Sequence, residues 1–320
     1  MANSQSNVQD FTQNSGLPFV SVVVPAYNEH ETIAGCIEAL LAQDYPADRR
    51  EIIIVDNNST DDTADIIQQY PVTLLHERKI QTSYAARNRG IRHARGEIVA
   101  FTDADCIPSP GWLTHLVAGF SQPSVVGVTG VMAPVATSGL ISEFIASADP
   151  VRSRETEGLW YIATSNVAFR RQALLDVGLF KAELTTGGDV DLGFRMQLDG
   201  HGQIVPAPQG LVQHPFANTW EELWERFRRY GYSEILLDAL YSDQSFYVRT
   251  PKKQFLIILS QMRALVTYMV SFVYRAGRSV LLGWDSKYVS WPLLWFAAEG
   301  NNLLGKMRGL AQTRFLTRKP

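Results

Sequence analysis

The first half of the chain alternates short apolar runs with amphipathic stretches, and few folds accept that alternation. Residues 19–24, 51–55, 72–76, 97–102 and 125–131 read as strands. Between the first two, Ile33, Cys36, Ile37, Leu40 and Leu41 fall on one face of a helix. Ser59 or Thr60, ahead of Asp61 and Asp62, reads as the cap that opens the next helix. Strands separated by helices connect by right-handed crossovers, so the chain is expected to be α/β, a mostly parallel sheet flanked by helices on both faces. No self-similarity recurs at a period of roughly 20–50 residues, which argues against a solenoid.

A chain of 320 residues buries one large core or two modest ones. Its 2 cysteines, Cys36 and Cys106, supply neither a disulfide framework nor paired zinc-ligand spacing, and they point to a reducing compartment. Residues 1–18 are polar, rich in Asn, Gln and Ser, and lack the apolar stretch of a secretory signal; they are expected to form a disordered leader. The net charge of −3 conceals an asymmetry. Residues 1–220 carry 14 Lys and Arg against 24 Asp and Glu, whereas residues 221–320 carry 15 against 8. Because the basic residues of the back interleave with long aliphatic and aromatic runs, its expected partner is an anionic membrane surface rather than nucleic acid.

Chemistry collects at the carboxyl ends of the strand candidates, where a parallel sheet leaves its ligand crevice. Pro25-Ala26-Tyr27-Asn28-Glu29 follows the first, and Asp56-Asn57-Asn58-Ser59-Thr60 the second. An aromatic such as Tyr27 can cover a nucleobase, and the carboxylate of Asp56 can accept from a base N–H or a ribose hydroxyl. The run Ile98-Val99-Ala100-Phe101-Thr102 delivers Asp103 and Asp105, hard oxygen ligands suited to Mg²⁺ or Mn²⁺ held against phosphate. No GxGxxG or GxxxxGK[ST] follows either of the first two strands, which argues against a dinucleotide-dependent dehydrogenase and a P-loop ATPase.

The segments VSVVVPAYNE, IIIVDNNSTDDT, ARNRGI and GEIVAFTDADC stand in a fixed order. In order and spacing they resemble the family-2 glycosyltransferases of the GT-A fold, over residues 19–240. The resemblance implies a nucleotide-sugar donor, with the base near Pro25, Ala26, Tyr27, Glu29 and Asp56. It also implies Asp103 near the ribose and Asp105 on the divalent metal that bridges the diphosphate. Arg87, in a helix over residues 83–94, gains from the same likeness a nucleotide-facing role. Arg89, Arg92 and Arg95 are expected at the surface. The run 160–170 resembles the segment after the acceptor-side connection and sets Asn166 against the sugar pocket. Gly188-Asp189-Val190-Asp191-Leu192 matches the family's Glu-Asp-x-Asp-Leu, with Asp189 in the place of the general base and Gly188 where Glu is usual. Asp191 is the alternative base, and acid enrichment in a first helical turn is the bland account of both. His214, after a last strand over residues 210–213, matches a histidine that completes metal coordination in this family.

Residues 220–232 are expected to form a helix whose Arg226, Arg228 and Arg229 reach a diphosphate or an anionic lipid. The QxxRW motif of processive polysaccharide synthases is absent, so a non-processive transferase is expected. Residues 255–274 are largely apolar but contain Gln261 and Arg263. A central Arg costs about 2.5–3.5 kcal/mol on insertion scales. With Lys252, Lys253, Arg275 and Arg278 at its flanks, an interfacial helix is expected rather than a span, with Trp284, Tyr288, Trp291 and Trp295 at headgroup depth.

The expected organisation is a leader (1–18), a GT-A domain (19–240) and a helical membrane-associating region (241–320). The expected activity is an inverting, metal-dependent transfer from a UDP-sugar, or second a GDP-sugar, to a glycan or lipid-linked glycan in polysaccharide biosynthesis. The expected place is the cytoplasmic face of a membrane, with homodimerisation the other use of the apolar tail. Two rivals remain. One is a nucleotidyltransferase, which usually shows a glycine-rich basic loop after its first strand; the other is a non-catalytic scaffold with a degenerate transferase domain.

Overall fold

A computed structural model describes residues 16–135, 139–148, 153–156, 159–198, 201–215, 219–241, 251–282 and 286–316. In chain order the elements are β1 (Val20–Ala26), α1 (Ile33–Leu41), β2 (Arg50–Asp56), α2 (Thr63–Ile67), β3 (Thr73–His76), α3 (Ser83–His93), β4 (Ile98–Phe101) and β5 (Ile107–Pro108). There follow α4 (Trp112–Ala118), β6 (Val125–Pro134), α5 (Leu140–Ala148), β7 (Arg154–Thr156), β8 (Leu159–Tyr161), β9 (Val167–Arg170), α6 (Arg171–Asp176) and α7 (Gly188–Leu198). The chain closes with β10 (Gln203–His214), α8 (Trp220–Tyr241), α9 (Pro251–Leu282) and α10 (Ser286–Leu316).

The 8-stranded sheet runs β3-β2-β1-β4-β9-β6-β10-β5. Pairings are parallel between β1 and β2, β1 and β4, β2 and β3, and β6 and β10. β9 enters antiparallel between β4 and β6, and β5 lies antiparallel on β10. Residues 160–170 divide between two sheets: β8 pairs with β7 in a separate one, and only β9 joins the main one. The side-chain period of two divides the strands between two cores. Val22, Val24, Ile52, Ile54 and Ala100 pack with Ile33, Leu40, Trp112 and Leu116 of α1 and α4. Val23, Ile53, Val55, Val99 and Phe101 pack with Ile91, Leu174 and Leu192 of α3, α6 and α7. Each Val, Ile, Leu or Phe among them, fully buried, contributes about 1.5–3 kcal/mol.

Helix α2 opens later than expected. Asp61 Oδ1 accepts from the Thr63 N–H at 3.1 Å, while Ser59 and Thr60 bond to Asn28 instead of capping the helix. Of the expected leader, residues 1–15 lie outside the described residues. Leu17 packs against the first core, and the Pro18 carbonyl accepts from the Tyr45 hydroxyl at 2.5 Å, so these last positions already belong to the fold.

The C-terminal helices are built on the domain rather than appended to it. A Cβ on Gly231 would lie 1.8 Å from the Asn302 carbonyl oxygen, and one on Gly305 would lie 1.9 Å from that of Arg228, so α8 and α10 touch backbone to backbone. Lys306 is 1% exposed, and its Nζ is held by Glu234 at 2.9 Å and Gln261 at 3.0 Å. Trp291 and Trp295 set their edges on Phe144, at 6.2 and 5.1 Å, in a core shared by α5, α8 and α10. Both rings, expected at headgroup depth, are half-buried and packed against the protein. Trp284 and the side chains of Lys252, Lys253 and Tyr288 lie outside the described residues. Helix α9 is fastened to α10 by Gln261, which donates to Glu299 at 2.8 Å and Asn302 at 3.0 Å, and by Tyr268 stacked on Trp295. Its other face presents Phe255, Met262, Val266, Val270 and Val273, spaced by three, four or seven residues and 53–65% exposed. By length and composition alone, Phe255–Ser279 is long and apolar enough to cross a membrane.

Candidate active site

Two loops form a floor at the carboxyl edge of β1 and β2. Asn28, at φ 54°, donates its N–H to Ser59 Oγ at 3.0 Å, and its Oδ1 accepts from the Thr60 N–H at 2.8 Å. The Glu29 N–H donates to Thr63 Oγ1 at 2.8 Å. Asn tolerates the left-handed backbone better than most residues, which lets the two loops be stitched in this way. Above the floor opens a crevice of about 1080 Å³, lined among others by Pro25, Ala26, Tyr27, Glu29, Arg87, Asp103, Asp105, Asp189 and His214. The structure thus gathers most of the residues singled out in the sequence around one cavity.

At the end of β4, Asp103, Asp105, Cys106 and His214 each offer an atom within 4.8 Å of the others. His214 Nε2 stands 3.8 Å from Asp105 Oδ2, and Arg87, which is 3% exposed, pairs with Asp103. Burial raises the Asp105 carboxyl above the usual range and Asp103 adds repulsion, while His214 opposes both. Cys106 is not an equal member: burial pushes its thiol well up, and its Sγ donates to Asp105 Oδ1 at 3.4 Å. Two carboxylates with one imidazole suit a hard divalent cation, which would offset the charge that burial makes unfavourable.

Glu29 shares that charge. Burial, followed by Asp105, Asp103 and Asp61, raises its carboxyl to about 7, against a hydrogen bond from Thr32. The folded chain therefore holds this proton more tightly than the unfolded chain, and this group's contribution to stability falls as pH rises from 4.5 through about 7. Glu29→Gln is expected to melt a few degrees above the parent at pH 8 in chelator, and level with it near pH 4. Differential scanning fluorimetry at the two pH values checks this, and equal offsets at both would remove the titration of Glu29 as the cause.

Asp189 stands in the first turn of α7. Burial raises its carboxyl, against the Val190 N–H at 3.0 Å, the charge of Arg87 and the Tyr84 hydroxyl. A carboxylate poised upward in this way, open to a crevice, is chemically a proton acceptor for a hydroxyl.

Asp191 is placed otherwise. It is 0% exposed, and Lys181 Nζ at 2.6 Å, Arg195 Nη2 at 2.8 Å and the Tyr241 hydroxyl at 2.8 Å take up its oxygens. The alternative base is a buried structural hub. Asn166 also departs from expectation. At 1% exposure it accepts from Trp112 Nε1 at 2.8 Å and donates to the Val131 and Gly210 carbonyls at 2.9 Å, while its neighbours Thr164 and Ser165 line the crevice. Gly130 allows this joint, since a Cβ there would meet the Asn166 amide at 2.4 Å. Asp56 is buried and turned to the Ser59 N–H and His76 Nδ1, both at 3.2 Å; Asn57 lines the crevice beside it.

Arg226 and Arg229 do line the crevice. Arg228 pairs with Glu225, and with Arg229 and Arg308 it borders a second cleft of about 280 Å³. Sequence reasoning passed over Tyr84, whose hydroxyl lies 3.3 Å from Asp189 Oδ1. The available signal was its place one turn before Arg87 on the same helix.

Residues 21–176 match the profile of Glycosyl transferase family 2. The glycosyltransferase AglE of Haloferax volcanii is 36% identical over 228 residues, which cover 69% of this chain and 74% of AglE. A beta-monoglucosyldiacylglycerol synthase of Nostoc sp. is 32% identical over 238 residues, covering 69% of this chain but only 50% of the synthase. Among solved structures, the mannosyltransferase PcManGT from Pyrobaculum calidifontis, in complex with GDP-Man and Mn²⁺, superposes with a TM-score of 0.64 over 93% of this chain and 88% of that one. At 20% identity that likeness is one of fold.

Proposed function

The chain belongs to glycosyltransferase family 2 and, as a member, is a nucleotide-sugar-dependent glycosyltransferase of the GT-A fold; we propose that it inverts the sugar in a single displacement onto an acceptor hydroxyl borne by a glycan or lipid-linked glycan. The observation that carries this reading is the pairing of the Asp103–Asp105–His214 cluster with Asp189 around one crevice. Tyr27, 46% exposed, covers the nucleobase, with Pro25, Ala26 and Glu29 beside it. Arg87 holds Asp103 toward the ribose. Asp105 and His214, with Asp103 beside them, are the residues that would hold Mg²⁺ or Mn²⁺, whose charge when bound steadies a diphosphate leaving group.

Asp189 takes the proton of the acceptor hydroxyl as that oxygen bonds to the anomeric carbon. The bond from that carbon to the diphosphate breaks, its electron pair leaves with the nucleoside diphosphate, and no covalent enzyme intermediate forms. A structural neighbour in complex with GDP-Man and Mn²⁺ supports a divalent ion here. A screen of UDP- and GDP-sugars with Mg²⁺ or Mn²⁺, read as nucleoside diphosphate release, tests the reading. Pyrophosphate release with a nucleoside triphosphate instead would favour a nucleotidyltransferase.

The acceptor is proposed to be met at a cytoplasmic membrane surface, through the exposed apolar face of α9. Crossing alone would carry Arg263 and Gln261 into hydrocarbon and strip Gln261 from Glu299 and Lys306 of α10, so the helix lies along the surface. A relative named as a glycolipid synthase is consistent with this placement. The full chain is expected to sediment with vesicles containing anionic lipid and to be partly released by high salt, because headgroup attraction is screened over about 10 Å at 0.1 M while apolar insertion is not. Val266→Asp with Val270→Asp should abolish sedimentation and leave donor binding intact. A parent chain that ignores vesicles, yet forms a dimer which the double variant cannot form, would make this face a subunit interface.

A further inference from the structure

Tyr84 sits on α3 at 6% exposure, its ring stacked on Phe180 at 5.5 Å and 18°, with the Arg87 guanidinium carbon 5.8 Å from its centre. The Gly188 N–H donates to the phenolic oxygen at 3.0 Å. That contact uses the acceptor side of the hydroxyl. The phenolic hydrogen then points to Asp189 Oδ1, 3.3 Å away. Burial, with Asp189 nearby, raises the phenol far above its usual range, so it remains a donor at any pH of interest.

Gly188 is the other half of the arrangement. A Cβ on Gly188 would lie 2.7–2.9 Å from three atoms of the Tyr84 ring. The Glu usual at this position in the resembling motif therefore cannot coexist with Tyr84 where it stands. The departure at Gly188, which alone hints at a degenerate site, coincides with an aromatic hydroxyl delivered from another helix to the same carboxylate.

We infer that Tyr84 is the positioning residue of this enzyme's base: its hydroxyl orients the Asp189 carboxylate and favours the ionised form, in the space that a side chain at 188 would otherwise occupy. The inference rests on the reading of Asp189 as the base. A hydrogen bond to the charged form of an acid favours that form, which counters the burial acting on Asp189. The other charged groups lining the crevice with this carboxylate are Arg87 on α3, Glu29 after β1, Asp103 and Asp105 after β4, His214 at the end of β10, and Glu221, Glu222, Glu225, Arg226 and Arg229 of α8. Asp191, on the same helix, is turned to Lys181 and Arg195.

The test compares Tyr84→Phe with the parent as full chains in a transfer assay. Phenylalanine keeps the ring and removes the hydroxyl. The kcat is expected to fall about 10-fold, with the donor KM unchanged and the acid limb of the kcat profile moved upward by about half a pH unit, since the base loses one stabilising hydrogen bond. A purely structural role would lower the melting temperature without moving the limb. Gly188→Ala, which crowds the ring but leaves every hydrogen-bonding group in place, is expected to reproduce the loss in kcat with donor binding intact. It decides the question if Tyr84→Phe does not fold.

Asp189→Asn run alongside separates the two claims. Loss of transfer in Asp189→Asn, with kcat and acid limb unmoved in Tyr84→Phe and Gly188→Ala, overturns the role of Tyr84 and leaves the base standing. Full transfer in Asp189→Asn overturns the base itself.

Discussion

Asp105→Ala is expected to abolish metal-dependent donor binding, a loss of at least about 100-fold in affinity, or about 2.8 kcal/mol. Asp105 contributes the oxygen that faces His214, and burial raises its carboxyl. Without it, a divalent ion would be left with Asp103, already paired to Arg87, and a single imidazole. Calorimetric titration of donor with Mn²⁺, and again with chelator, should show two affinities for the parent and one, the weaker, for the variant. The fold should persist. Because burial raises the Asp105 carboxyl, the folded chain resists ionising it, and stability from this group declines as pH climbs through its raised value. Its removal should leave the chain at least as stable as the parent at pH 8 in chelator. Metal-dependent affinity that survives in Asp105→Ala would move the ion elsewhere.

What was legible in the sequence followed from short-range regularities. The period of two in VSVVV and IIIV marks buried strands because successive side chains must enter opposite cores, as Val22 and Val23 do. The strand ends were legible for the same reason: once the strands are placed, Glu29, Asp103 and Asp105 must emerge at one edge. Asn166 and Asp191 were not legible as structural residues, because their partners converge only in the fold, even though Arg195 stands a single helical turn from Asp191 on α7. Trp112, Val131 and Gly210 converge on the first, and Lys181, Arg195 and Tyr241 on the second. The antiparallel entry of β9 between β4 and β6 is likewise a matter of where a strand returns, which local pattern does not encode. Trp291 and Trp295 show a related ambiguity. Aromatic rings beside basic residues suit a membrane interface but equally suit a helix core, and in the structure both rings pack, half-buried, against Phe144.

Asp189→Asn is expected to lower transfer by roughly 10²–10⁴ while donor binding stays as in the parent, the usual contribution of a positioned base. Asparagine keeps the shape and the hydrogen bond from Tyr84 but cannot accept the acceptor's proton. The pH profile carries a second signature. Burial raises this carboxyl, so it is protonated over a wider acid range, and parent activity should fall as pH drops through the raised value. In Asp189→Asn the residual activity should lose that acid limb, and slow hydrolysis of the donor by water can persist. Asp191→Asn should behave in the opposite way. Its carboxylate neutralises Lys181 and Arg195 with no exposure to solvent, and breaking such a buried pair costs about 3–5 kcal/mol. That variant should unfold at a markedly lower temperature, and whatever folds should keep the acid limb. If instead Asp189→Asn transfers sugar at the parental rate and Asp191→Asn folds normally but does not, the proton passes to the second carboxylate, and the geometry of α7 in the working enzyme must differ from the one described here.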